Sequence, residues 1–271
     1  MKRGIGTGIL ILAVTTGLAA CAAGDSIDDS AYEDAPPHLN PTLPLEERVE
    51  YLLSQLTLDE KAALMGTTAP AIERLDVPEM WGWNQSLHGV VWNQPTTMFP
   101  VNIGMAATWN PALIQEVSSV IHDEARAIYN LLRATSGTFE EGRGRQCCLV
   151  TDDGRRLRLS GVVFRSPVIN ISRQPLWGRI HEAFGEDPHL TSRFTVAYVR
   201  GMQGDHPTYL KTVSTLKHYA MNNREERRHY LDAQVPERWM HEYYLPHFKA
   251  GIVEAGAQSI MSVYNKLNGV P

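Results

Sequence analysis

The chain has 271 residues, 43% of them hydrophobic and 20% charged, which suits one large globular domain or two small ones and excludes a disordered chain. Twenty-five basic against thirty acidic residues give a net charge of −5, so nothing in the overall balance points to nucleic acid as a partner. The local run Arg155, Arg156 and Arg158 reads as solvated loop surface.

In chain order, Lys2 and Arg3 precede a small, apolar stretch over residues 5–20 that ends Leu18-Ala19-Ala20-Cys21. A membrane span needs about 20 apolar residues, so residues 1–20 read as a secretory signal. The ending is similar to a bacterial lipoprotein box, which implies lipidation of Cys21 as the first mature residue. Ala22 behind it resembles outer-membrane sorting. The expectation is export across the inner membrane and a periplasmic or outer-membrane lipoprotein, attached to the membrane by its N-terminal lipid. An ordinary secreted protein with a coincidental cysteine is the plainer alternative. Residues 21–44, rich in Ala, Asp, Ser and Pro, read as a flexible tether. With Cys21 lipidated, only Cys147 and Cys148 remain. Adjacent cysteines rarely bridge each other, and no spaced metal-ligand set is present, so neither a disulfide framework nor a metal is expected.

The folded body is expected over 45–271. A helix over about 45–55 carries Val49, Leu52, Leu53 and Leu56 on one side. Thr57 and Glu60 form a capping box for a second helix through Met65. Residues 75–110 are mostly irregular, with Trp81, Trp83, Trp92 and Trp109. Asn110 and Pro111 then start a helix whose predicted buried stripe is Leu113, Ile114, Val117, Val120, Ile121 and Ile128. Residues 133–160 read as a solvated excursion with a turn at Thr151-Asp152-Asp153-Gly154, in the form of a small hairpin or plain loop.

Strand material follows at Val162–Phe164 and Val168–Ile171, around Pro167. Asp187 caps a helix from Pro188 to about Gly201. Val213–Leu216 leads into Lys217-His218-Tyr219. Pro236–Glu254 is predicted as one helix, Ser259–Tyr264 as a strand, and Asn265–Gly269 as a turn. Strands alternating with helices predict a parallel α/β fold with right-handed crossovers. Polar residues fall at the strands' C-terminal ends: Asn170 and Arg173, Lys217 and His218, Tyr264 and Asn265. A (β/α)8 barrel builds its site there, as does an open sheet. With no glycine-rich dinucleotide loop, an incomplete TIM-barrel-like (β/α)8 domain is the preferred fold.

Several ordered segments resemble glycoside hydrolase family 3. They are Trp83-Asn84-Gln85-Ser86-Leu87-His88-Gly89-Val90, Thr97–Pro100, Arg173-Gln174-Pro175-Leu176-Trp177-Gly178-Arg179 running on to Gly185-Glu186-Asp187-Pro188, Leu216–Tyr219, and Met261–Asn265 with Asn268-Gly269-Val270-Pro271. The likeness covers roughly 45–271. Asn84–Val90 and Arg228–Phe248 look most like the β-xylosidase branch, with β-glucosidases as near relatives. The resemblance implies release of terminal non-reducing β-D-xylose or β-D-glucose by a retaining mechanism, from xylo-oligosaccharide or β-glucoside substrates, without a cofactor.

By the same resemblance, Arg173, Lys217 and His218 direct donors at sugar hydroxyls, Tyr264 sits beside the nucleophile, and position 85 contacts the sugar. The family's aspartate nucleophile follows the Asn-Gly-x-Pro segment and its usual acid/base lies in a second domain, so no catalytic residue is assigned within 1–271. Glu182, Glu186 and Asp187 read as scaffold. Gln85 departs from the glutamate of the xylosidase branch, keeping one acceptor oxygen while losing the charge. Gln174, Leu176, Pro236 and Trp239 are further departures. Two readings remain: a β-glycosidase of which this chain is the sugar-binding part, completed by further chain or by a second polypeptide, and a catalytically inactive surface lipoprotein that binds sugar or a partner.

Overall fold

The computed structural model describes residues 32–66, 68–81, 84–91, 96–134, 149–150, 156–157, 161–207 and 209–271. The signal segment, Cys21, Trp83, Trp92, Cys147, Cys148 and the turn at Thr151–Gly154 lie outside them. The chain divides into two compact units, Met1–Leu56 and Thr57–Pro271.

In the first unit a 3₁₀ turn, Pro37–Leu39, precedes α1 (Leu45–Gln55). Arg48 donates to the His38 carbonyl at 3.2 Å, and the His38 ring stacks on Tyr51. α1 forms where periodicity places it, but its stripe is only partly covered: Leu56 is buried and Leu52 half-buried, whereas Val49 is 44% exposed and Leu53 48%. A 3.6-residue period shows that a helix has an apolar face, not that anything covers it.

The second unit begins with α2 (Leu58–Leu64), and the capping box at its start is complete. The Thr57 N–H donates to Glu60 Oε2 at 2.8 Å and the Glu60 N–H to Thr57 Oγ1 at 3.3 Å. β1 (Thr68–Ala69) pairs antiparallel with β2 (Met80–Trp81). α3 (Asn102–Ala106) precedes α4 (Pro111–Ala134), and the Leu113 N–H donates to the Asn110 Oδ1 at 3.2 Å. The buried face of α4 differs from the predicted stripe. Ile114, Ser118, Ile121, His122 and Ala125 are buried, whereas Leu113 and Val120 are exposed. Ser118 and His122 take core positions because their polar atoms are satisfied internally. β3 (Leu149–Val150) and β4 (Arg156–Leu157) pair antiparallel.

There follow β5 (Val163–Phe164), α5 (Pro188–Gln203), β6 (Val213–Tyr219) and β7 (Asp232–Ala233). The unit ends with α6 (Glu237–Trp239), a π-helical turn at Met240–Tyr244, α7 (Pro246–Val253), β8 (Ser259–Ser262) and β9 (Lys266–Leu267). The one helix predicted from Pro236 to Glu254 is interrupted. Pro246 has no N–H to give and starts a new helix at its first position instead of continuing the old one. Val168–Ile171 is not a regular strand either. Pro167 removes a ladder donor, and Val168 makes only an isolated bridge to Lys217, while the Ile169 N–H still reaches the Lys217 carbonyl at 2.9 Å.

The sheet is parallel. β6 lies between β5 (Val163 opposite Val213) and β8 (Leu216 opposite Ile260), and a parallel bridge from Asn84 to Phe164 adds a further segment beyond β5. α4, α5 and the α6–α7 region occupy the successive connections, the βαβ alternation of a barrel arc. β7 and β9 pair in parallel apart from this array. Phe164, Leu216, Tyr198, Phe194, Ile114, Ile121 and Phe248 make the core between sheet and helices. Gly201 of α5 lies so near α4 that an added Cβ would run into the Gln115 carbonyl oxygen. Among the described residues no helix is long and apolar enough to cross a membrane.

Candidate functional site

Residues 214–218 of β6 are all buried, as in a parallel strand covered on both faces. The two polar residues at its C-terminal end are therefore held inside the protein. Lys217 is 1% exposed and donates from Nζ to Gln85 Oε1 at 2.9 Å. An ammonium only donates, so its partner is the amide oxygen and the Gln85 Nε2 hydrogens are left for another acceptor. Burial, reinforced by the charges of Arg179 and Arg165 and opposed by Glu182, pushes Lys217 down to about 7.

His218 is also 1% exposed. Arg179 Nη1 donates to its Nε2 at 3.0 Å, so the proton of the neutral ring sits on Nδ1, 3.2 Å from Asn170 Oδ1. Burial, with the Arg179, Lys217 and Arg228 cations around it, pushes His218 down to about 2, so the ring is neutral at any working pH. Both ring nitrogens are thus engaged within the protein.

Asn170 organises this bend. Its Oδ1 accepts from the His218 N–H at 2.8 Å, and its Nδ2 donates to the carbonyls of His218 at 2.8 Å and Ala220 at 2.9 Å. The Lys217–His218 and Tyr219–Ala220 peptide bonds are cis.

The loop after β5 supplies the next layer. Arg179 grips Glu182 through two 2.7 Å contacts. Burial works against the guanidinium's charge, but these hydrogen bonds and Glu182's charge outweigh it and hold its pKa above the usual value. Trp177, 2% exposed, donates to Glu225 Oε1 at 3.1 Å, and Glu225 Oε2 accepts from Arg228 at 2.7 Å. The Arg228 guanidinium lies 4.2 Å above the Tyr264 ring, which is 5.8 Å from the His218 ring.

The loop carrying Gln85 is fixed from behind. His122 gives its Nδ1 proton to the Ser118 carbonyl at 2.7 Å, so Nε2 accepts from the Ser86 hydroxyl at 2.9 Å. Tyr198 donates to the Ser86 carbonyl at 2.6 Å. A hydroxyl–imidazole pair has the chemistry of a nucleophile, but Ser86 and His122 are fully buried, so this pair holds the loop in place.

Gln85, Lys217, His218 and Tyr264 thus share one cluster. Arg173 takes other partners. Exposed at the surface, it lies over Trp239 at 4.9 Å and Tyr243 at 5.7 Å, and its Nη1 donates to the Tyr244 hydroxyl at 3.4 Å. Trp239, noted in the sequence as a departure, is one wall of this aromatic shelf. Arg179, Glu225 and Arg228 also belong to the cluster, although neither strand-end position nor the resemblance singles them out as site residues. Their signal in the sequence was the alternation of arginines with glutamates in the loops after β5 and β6. Asp187 caps α5 as expected, accepting from the Leu190 N–H at 2.6 Å.

Beside the cluster lies a hollow of about 320 Å³, with Gln85, His88, Asn102, Arg179, His181 and Glu182 in its walls. A larger one of about 460 Å³, next to α2, is lined by Asp59, Glu60, Glu73 and Arg74 among apolar residues, with Arg74 paired to Glu60. Among the described residues no three His, Cys, Asp or Glu side chains are placed to hold a metal ion.

Residues 161–271 match the glycosyl hydrolase family 3 N terminal domain. The chain is 35% identical, over 87% of its length, to a xylan 1,4-β-xylosidase of Xylanibacter ruminicola, and 32% identical, over 96%, to a β-glucosidase of Bacteroides ovatus. It spans 26% and 31% of the lengths of these two relatives. Among solved structures it resembles a family 3 exo-β-xylosidase in complex with a xylobiose aziridine probe, with a TM-score of 0.72 at 31% identity over 88% of this chain and 29% of that one. The parallel arc with helical crossovers, the ordered motifs and these likenesses agree: the chain belongs to glycoside hydrolase family 3 and carries part of that family's TIM-barrel-like N-terminal domain.

Proposed function

We propose that the intact protein hydrolyses terminal β-D-xylosides or β-D-glucosides with retention, and that this chain supplies the part that holds the sugar. One observation carries the reading. At the C-terminal end of a parallel strand, a buried ammonium, Lys217, has a neutral amide as its hydrogen-bond partner. Such a cation is costly to bury and serves as a strong donor to hydroxyl groups in a pocket with little water. Contacts of this kind favour turnover when they tighten as the oxocarbenium-like transition state forms. Tyr264, beneath Arg228, stands at the edge where the resemblance puts the nucleophile.

Retaining hydrolysis needs two carboxyl groups about 5–5.5 Å apart. Glu182 and Glu225 are each locked to an arginine, which suits scaffold and not attack. The nucleophile and the acid/base are assigned to the remainder of the enzyme. The leader and Cys21 support a lipid-anchored protein facing the periplasm or the outer membrane. Labelling of source cells with palmitate is the check, and an unlabelled protein overturns that placement.

The test of activity uses the polypeptide as its source cells make it, assayed with aryl β-D-xyloside and aryl β-D-glucoside. Release of the aryl group from either supports hydrolysis. Sugar binding without release selects the inactive lipoprotein. In the same protein, Gln85→Glu is expected to tighten sugar binding about tenfold, because a carboxylate accepts roughly 1–2 kcal/mol more strongly than an amide. Unchanged or weaker binding by calorimetry rejects that role for position 85.

A further inference from the structure

We propose that Asn268-Gly269 is a site of spontaneous deamidation, and that Asp232 and the backbone of Val235 hold the reaction back while the surrounding loops stay folded. The inference does not depend on the sugar-binding reading above. Asn268 is the one asparagine of the sequence that is followed by glycine. Gly269 has no Cβ to crowd an approach to its nitrogen. The reaction open to such a pair is cyclisation. The Gly269 nitrogen gives up its proton to hydroxide and attacks Asn268 Cγ, the Cγ–Nδ2 bond breaks, and Nδ2 leaves as ammonia. Water then opens the succinimide ring at either carbonyl, to aspartate or to isoaspartate. In sum, water enters, ammonia leaves, and nothing is oxidised or reduced.

The fold sets this pair in a tight turn. Leu267 and Val270 bridge across it, each N–H donating to the other's carbonyl, at 2.8 and 3.0 Å. Asn268 has φ 49° and Gly269 φ 85°, the left-handed conformation that Asn-Gly turns favour. The turn is stitched to the segment that includes β7. Asn268 Nδ2 donates to the Val235 carbonyl at 3.0 Å, and its Oδ1 accepts from the Val235 N–H at 2.8 Å, as a neighbouring strand would. The Asn268 N–H donates to the Ala233 carbonyl at 3.0 Å, and the Gly269 N–H to Asp232 Oδ1 at 2.9 Å.

These bonds oppose both halves of the reaction. The attacking nitrogen must first lose the proton that it shares with Asp232, and a carboxylate disfavours an anion formed beside it. The amide under attack is fixed at both ends on Val235, so turning Cγ toward the nitrogen gives up two hydrogen bonds. The product also differs in what it can hold. A carboxylate has no N–H for the Val235 carbonyl and sets negative charge against that oxygen. Isoaspartate lengthens the backbone of the turn as well. Either product undoes the stitch. Lys266, whose N–H donates to the Leu231 carbonyl at 2.9 Å, belongs to the same segment, which begins at Tyr264 beneath Arg228.

The experiment ages the intact protein in mildly alkaline buffer, once folded and once in urea, and follows the peptide that spans 268–269 by mass spectrometry. Asn265, followed by lysine, is the internal reference. In urea Asn268 should convert well ahead of Asn265. In the folded protein it should convert about tenfold more slowly than in urea, the share of one hydrogen bond to a charged group. Asp232→Ala should recover much of that rate in the folded protein. Asp232→Asn, which keeps the shape and an acceptor oxygen without the charge, should fall between. Asn268→Asp should melt below wild type. An Asn268 that keeps pace with Asn265 in urea overturns the site. Equal rates for the folded and unfolded wild type overturn the protection, and wild-type rates in both Asp232 variants overturn the role of Asp232. An Asn268→Asp variant that melts with wild type overturns the stitch.

Discussion

Lys217→Met should make the ligand-free protein more stable at pH 6 and, in the same molecule, abolish sugar binding. Methionine follows the lysine stem in volume without carrying charge into a site that is 1% exposed. Gln85 is half-buried, so water can take over its freed oxygen. The sign follows from the titration. Lysine in an unfolded chain titrates near pH 10.4, whereas in this fold burial brings it to about 7. Between those values the unfolded state binds more protons, so wild-type stability rises with pH from about 7 to about 10. Below about 7 the whole penalty for the buried cation is present. The methionine variant has no such penalty, so its advantage is greatest at pH 6 and fades toward pH 10. A gain of about 1–4 kcal/mol at the acid end is in keeping with neutral replacements of buried ions. Thermal melts at pH 6 and pH 10, paired with calorimetry, read both effects. A variant less stable than wild type at pH 6 sinks the argument. In wild type, sugar affinity should decline as pH passes about 7 and the ammonium is lost. With Gln85→Glu the decline should move to higher pH, because a carboxylate at that position holds the proton on Lys217.

Asn170→Leu should be among the most damaging single changes in the second unit. The side chain is fully buried and serves three backbone groups, the His218 N–H and the carbonyls of His218 and Ala220. Leucine leaves all three dry, and each unsatisfied buried group costs about 1–3 kcal/mol, so a loss of at least about 3 kcal/mol is expected. Asn170→Asp keeps an acceptor for the His218 N–H but gives up the two donated bonds, and should fall between. The shift of the denaturation midpoint in urea measures the series. A leucine variant within about 1 kcal/mol of wild type would falsify the account of Asn170 as the clamp of this bend.

Local chemistry made much of this legible in the sequence. The capping box at Thr57, the caps at Asn110 and Asp187, and the strand ending in Lys217-His218 all depend on neighbours a few residues away, and all appear where expected. What was misread depends on distant partners. Val49 and Leu53 of the α1 stripe are exposed, and the buried face of α4 includes Ser118 and His122, because periodicity cannot see what packs against a helix or which polar groups will find partners. The helix from Pro236 was drawn through Pro246 because the apolar spacing continues across it. In the site, strand-end position pointed to Lys217, His218 and Tyr264, and the family resemblance added Gln85. It could not show that Arg173 turns to Trp239 and Tyr243, or that Arg179 reaches His218, since those choices are made between loops far apart in the chain.

The run from Trp177 through Glu225 and Arg228 to Tyr264 joins the loops that follow three successive strands of the sheet. Its members share partners, so the effect of changing one depends on which of the others are present. For laboratory evolution of this family member, that makes the site a poor place for single-codon libraries. Variants at 177, 225, 228 and 264 will be tolerated in combinations that fail one at a time, and a new sugar preference is better sought by randomising the four positions together or by leaving them fixed and varying the hollow beside them.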